Sequence, residues 1–159
     1  MGNSPDNSDV VILAAARTPQ GRINGQLATF TAVDLGAHAI RAALEASGAP
    51  AADVDTVIMG QVLQAGAGQA PARQAAIGAG IPWSAHATTV NKVCLSGLSA
   101  VIDATRLIRS GEARVVVAGG CSGHSFKHAA ALGELAAQFA TDEAPFTDAA
   151  FLDPRRFSA

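Results

Sequence analysis

Thr88-Thr89-Val90-Asn91-Lys92-Val93-Cys94-Leu95-Ser96-Gly97-Leu98 carries the reading on which the fold depends. Its opening β-branched residues suit a pleated, half-buried strand. Asn91-Lys92 breaks the run, and a helix over 95–108 follows, closed by Gly111. That helix carries Leu95, Leu98, Val101, Ile102, Leu107 and Ile108, apolar on nearly every side. Such a pattern predicts a central helix with neighbours all round.

The same strand-then-helix unit extends outward in both directions. Val10-Val11-Ile12-Leu13-Ala14-Ala15 reads as a strand buried on both faces, ended by the turn chemistry of Arg17-Thr18-Pro19-Gln20-Gly21. Thr31 is an expected N-cap with Asp34 three residues on, a capping-box arrangement. Val33, Ala37, Ile40 and Leu44 then share one helical face, Arg41 and Glu45 the other, until Gly48 and Pro50 stop the helix. Val57-Ile58-Met59 is a second strand, followed by a glycine-bearing stretch over 60–68 and a helix over 71–77 with Pro71 in its first turn. Arg114-Val115-Val116-Val117-Ala118 is a fourth strand, landing on Gly119-Gly120. Alternation from end to end predicts α/β layering with crossover connections. Neither a sequence repeat nor a coiled-coil heptad interrupts it. Residues 1–9 read as a disordered leader. Residues 121–159 read as an atypical tail, helical over 129–140 and then irregular, with Pro145, Pro154 and scattered acids.

Composition bounds what such a chain can do. Of its 159 residues, 49% are hydrophobic and 15% charged, enough apolar side chain to build a core. The net charge of −2 and the absence of a Lys/Arg cluster argue against a nucleic-acid partner. No apolar stretch approaches the roughly 20 residues of a membrane span, so no membrane partner is expected. Two cysteines, Cys94 and Cys121, cannot frame a disulfide-rich secreted domain, and the polar, acidic 1–9 segment is unlike a signal peptide. A cytoplasmic location is the expectation.

Cys94 is the candidate for chemistry. It follows a strand and opens a helix, where unpaired N–H groups and the partial positive charge of the helix end favour thiolate over thiol. Gly97 permits a close backbone or substrate approach. The plainer alternative is a small, buried core cysteine.

Four linked segments then resemble the thiolases, the acetyl-CoA acetyltransferases. They are Asn91-Lys92-Val93-Cys94-x-Ser96-Gly97; Ala14-Ala15-Ala16-Arg17-Thr18-Pro19; Met59-Gly60-Gln61-Val62-Leu63-Gln64-Ala65-Gly66 with Gly68-Gln69-Ala70-Pro71-Ala72-Arg73-Gln74-Ala75; and Val115-Val116-Val117-Ala118-Gly119-Gly120. The likeness runs over about 10–120, in the family's order and spacing. It implies an incomplete thiolase-like βαβαβαβ half with an ill-defined C-terminal tail. It also implies Claisen-type acyl transfer, in which Cys94 attacks an acyl-CoA thioester and holds the acyl group while a second base makes the acetyl-CoA carbanion. The substrate would be an acyl-CoA, with no cofactor and no metal. The expected assembly is a homo-oligomer or a pairing with a thiolase subunit.

The sequence also departs from the family. The Gly-His-Pro segment that supplies the activating His, and the Cys-x-Gly-Gly segment that supplies an acid/base cysteine, do not occur in these 159 residues. After Gly120 the chain reads Cys121-Ser122-Gly123-His124-Ser125 where the family carries a Met-Glu-Ser-like run. The expectation is a truncated thiolase whose tail was replaced or read in a shifted frame, without complete activity alone. Two alternatives stay open. One is a non-catalytic fragment that pairs with a thiolase subunit through the 60–71 loop. The other is a cysteine hydrolase using the Gly119-Gly120-Cys121-Ser122-Gly123 elbow.

Weaker signals complete the reading. Cys121, His124 and His128 have a spacing a metal could use but fall short of a proper ligand set. Gly66-x-Gly68 meets Pro71 where a dinucleotide fingerprint needs glycine. His38 and His86 read as surface or locally satisfied residues, and Arg106, Arg109 and Arg114 as solvated charge at a helix end. Arg73 reads either as a solvated charge or, by the resemblance, as a subunit-contact residue.

Overall fold

A computed structural model describes residues 10–22 and 24–121, all within the unit Met1–Gly123. Three α-helices and three strands follow in order, with a short 3-10 turn (Ala51–Asp53) before the first strand: α1 (Ala32–Ser47), β1 (Thr56–Gln61), α2 (Pro71–Gly78), β2 (His86–Val90), α3 (Ser96–Arg109) and β3 (Val116–Cys121). The strands form one parallel sheet in the order β2-β1-β3. Thr56 stands opposite His86 on one side and Val116 on the other. The chain therefore steps from β1 to one edge and then crosses over to the opposite edge. With right-handed crossovers, that puts the connecting helices on opposite faces.

The packing follows this winding. Alternate strand residues point to opposite faces. Val57, Met59, Val115 and Val117 meet α1, α2 and the loops beside them, in a core with Ala37, Ile40, Ala75, Ala76 and Ile81. Ile58, Val116 and Ala118 meet Ala100, Ala104 and Leu107 of α3. The expected α/β layering with a parallel sheet is the observed one.

Local chemistry sets the helix ends. The Thr31 hydroxyl accepts the Asp34 N–H at 3.1 Å, and the Asp34 carboxylate accepts the Thr31 N–H at 2.9 Å and the Thr31 O–H at 2.6 Å. This is the predicted capping box, closed by Asp rather than Glu. It lowers the Asp34 pKa below its ordinary value, chiefly through the Thr31 side-chain bond. At the other end Gly48 takes the left-handed conformation, φ 68°, and stops α1. The start of α2 is satisfied from a distance, since the Ala72 N–H donates to Thr89 Oγ1 of β2 at 3.1 Å. Its last turn is capped by Arg41 of α1, which donates to the Gly78 carbonyl at 2.8 Å. At the amino end of the sheet, the Asp55 carboxylate accepts the N–H groups of Arg114 at 2.7 Å and Val115 at 3.0 Å. Those two bonds hold the Asp55 pKa below its ordinary value and pin the entry of β3 to that of β1.

Two expectations are corrected. The 10–15 run is not a strand. A strand needs a ladder partner, and although β2 and β3 each keep an outer edge, the run joins neither of them in the sheet. The run lies instead along a largely apolar cleft of about 370 Å³ that Val115, Val117, Ala104 and Ile108 also line. Val11, Ile12 and Leu13 stay 66%, 82% and 64% exposed.

Nor is α3 surrounded. It buries its small residues, Ser96, Ser99, Ala100 and Ala104, and leaves Leu98, Val101 and Ile102 exposed. The reason is the close approach of helix to sheet. A Cβ on Gly60 would stand 2.8 Å from Ser96 backbone carbon, and one on Gly97 would collide with the Gly120 carbonyl oxygen. Only small side chains fit that seam, so the large apolar ones turn outward. The expected leader and tail, including the 129–140 helix, lie outside the described residues.

Candidate active site

In a parallel sheet every strand ends at the same side, and ligands of open α/β folds gather beyond those carboxyl ends where the winding reverses. Here that side is marked by Gln61, Val90 and Cys121, with Gly60 opposite Val90 and Gln61 opposite Cys121 in register. Residues 91–95 join β2 to α3 at this end.

The joint is a tight, strained turn. Asn91 Oδ1 accepts the Val93 N–H at 3.1 Å, while its Nδ2 donates to the Val62 carbonyl at 3.1 Å and ties the turn to the loop after β1. Val93 sits at φ 51°, in the left-handed region. For a β-branched residue that conformation costs on the order of 1–3 kcal/mol and persists only where the surroundings over-determine it. Ser96 supplies part of that constraint. Its hydroxyl, wholly buried, accepts the Lys92 N–H at 3.0 Å and donates to the Val93 carbonyl at 2.6 Å. Leu95 and Ser96 N–H groups close back onto the Lys92 and Val93 carbonyls at 3.0 and 3.2 Å.

Cys94 stands at the crest of this turn and is exposed. That removes the buried-core alternative. It lies two residues ahead of α3, whose N-cap, Leu95, offers no side-chain acceptor to the first turn.

A cleft of about 380 Å³ opens at the same end of the sheet, lined by Gly60, Gln61 and Gly120 with Arg17, Thr18 and residues of α1 and α2. Cys94 is not part of its lining.

The remaining candidates separate from this site. Cys121 is the last residue of β3, and its side chain lies outside the description, as do His124 and His128. The elbow and metal readings therefore fall largely outside the described residues. His38 and His86 are both exposed, the surface reading made for them. Arg106 pairs with Asp103 at 3.0 Å on the helix surface, and Arg109 and Arg114 are exposed. Arg73 is not a plain solvated charge. Half-buried, it donates to the carbonyls of Trp83 and Ala85 and lies 5.7 Å from the Trp83 ring centroid, clamping the loop before β2. Sequence reasoning gave Asn91 and Ser96 no separate role. Their contacts reach across the turn, and the one available signal was a polar, cap-forming residue on each side of a lone cysteine.

Comparison with known proteins converges on one family. The family described as "Thiolase, N-terminal domain" matches residues 10–148. That match runs past Gly120, where the sequence reading placed the end of the domain. A probable acetyl-CoA acetyltransferase of Mycolicibacterium smegmatis is 60% identical over 110 residues, which is 69% of this chain and 28% of that protein. The acetyl-CoA acetyltransferase of Cupriavidus necator is 57% identical over 113 residues, 71% of this chain and 29% of that one. The crystal structure of Acat5 thiolase from Ascaris suum in complex with coenzyme A superposes with a TM-score of 0.68 at 41% identity, covering 69% of this chain and 28% of that one. The chain thus spans less than a third of the length of these relatives.

Proposed function

The chain belongs to the thiolase family, and from that premise we propose that it carries the acyl-accepting step of an acyl-CoA acyltransferase, with Cys94 as nucleophile. The supporting observation is the exposed Cys94, held on a strained turn directly ahead of α3. In this step the Cys94 thiolate attacks the thioester carbonyl carbon. A new sulfur–carbon bond forms, the bond to the coenzyme A sulfur breaks, and coenzyme A leaves as its thiolate. The second step, carbon–carbon bond formation, needs a base that the Gly-His-Pro and Cys-x-Gly-Gly segments supply in the family. The proposal therefore concerns the acyl-accepting step.

The test is incubation with acetyl-CoA followed by intact mass and peptide mapping. One acetyl group on Cys94, absent from Cys94→Ala, is the expected result. An unmodified protein, or an acetyl group that persists in Cys94→Ala, contradicts it.

A second reading, pairing with a thiolase subunit, is favoured by the apolar stripe left open on α3 and by Leu63, 86% exposed in the loop after β1. Co-purification with a full-length thiolase would distinguish it from a free chain. Among the described residues no helix is long and apolar enough to cross a membrane.

A further inference from the structure

A left-handed valine beside a nucleophile calls for a cause. Apart from the glycines, only Asn24, Ala70 and Val93 have positive φ among the described residues, and Val93 alone is β-branched. Left to itself it would relax to negative φ. Its peptide is gripped at both ends: Asn91 Oδ1 takes its N–H, and Ser96 donates both hydroxyl and N–H to its carbonyl. The Ser96 hydroxyl also takes the Lys92 N–H, so it spans the turn. Ser96 itself cannot shift, because it is wholly buried against Gly60.

We propose that Asn91 and Ser96 are positioning residues for Cys94, acting by holding Val93 left-handed so that the next residue is presented at the start of α3. The inference rests on the reading of Cys94 as nucleophile and adds the residues that aim it. Neither Asn91 nor Ser96 is assigned contact with substrate.

The experiment is a double-mutant cycle on the full chain, read as the second-order rate of Cys94 carboxamidomethylation by iodoacetamide and localised by peptide mass. Ser96→Ala slows the reaction about tenfold, because a thiol's reactivity follows its local environment and exposure, and both change when the turn relaxes. Glycine adopts positive φ without help, so Val93→Gly keeps near-normal reactivity. In the Val93→Gly background, Ser96→Ala then changes the rate by no more than about twofold, because the strain it opposed is gone. A purely structural role would lower thermal stability without this rescue. Should Ser96→Ala fail to fold, Asn91→Ala at an exposed position completes the same cycle. Equal losses in both backgrounds, or no loss in either, overturn the proposal. Iodoacetamide requires no coenzyme A site. Failure of acetyl transfer from acetyl-CoA would therefore sink the functional reading and leave this cycle standing, and the reverse holds equally.

Discussion

The two faces of the sheet are built by opposite rules. On the α1 and α2 face, apolar residues point inward and the core closes: Ile40, Val57 and Ile81 are at most 2% exposed. On the α3 face, the inward positions hold Ser96, Ser99, Ala100 and Ala104, and Leu98, Val101 and Ile102 look out. One face completes a core; the other trades side-chain volume for a close approach of helix to sheet, and that approach delivers the helix end to the Cys94 turn. Stability is therefore concentrated on one side of the molecule and presentation of the site on the other.

The largest expected effect tests the closed face. Ile81→Ala should cost about 2–5 kcal/mol of unfolding free energy in a urea titration, the range for emptying a tightly packed aliphatic site. A loss below that range would mean the first core is no tighter than the second.

Between the faces, the seam at Asp55 should respond to pH. Asp34 and Asp55 both have folded-state pKa values below their ordinary value of 3.8. The unfolded chain thus takes up their protons first as pH falls. Their contribution is fully present above the ordinary carboxylate range and is lost as pH drops through it toward the lowered folded values. Thermal melts from pH 6 downward should show this acid loss, and Asp55→Asn should make the curve shallower.

The smallest expected effect lies on the open face. Leu98→Gln and Ile102→Gln should each alter unfolding free energy by no more than about 0.5 kcal/mol, as at exposed sites generally. Light scattering should meanwhile show less self-association. A loss of several kcal/mol would erase the contrast between the faces.

How far the chain could be read without coordinates varied by region. Every signal for α1 is local, from the Thr31–Asp34 box to Gly48, so its cap, face and stop were all legible. The runs at β1, β2 and β3 were legible as well, within a few residues at their ends. The 10–15 run misled because β-branched composition reports a tendency to pair, not that the run will be laid in register along a strand. The all-round apolar pattern of α3 misled in a similar way: hydrophobicity says which residues favour burial, not whether a neighbour of the right shape is present. At the candidate site, the place of Cys94 between strand and helix was legible. The grip of Asn91 and Ser96 on Val93 was not, because it depends on a dihedral angle and on bonds across the turn.

Periodicity, caps and motif order along the chain thus settled the α/β class, the family and the position of the cysteine, since each is encoded within a few neighbouring residues. Folding in three dimensions settled the rest: whether the 10–15 run joined the sheet, which side of α3 met it, and how Val93 was held. Those outcomes turn on steric fit and hydrogen-bond partners far apart in sequence, such as Gly60 against Ser96 and Thr89 on the start of α2.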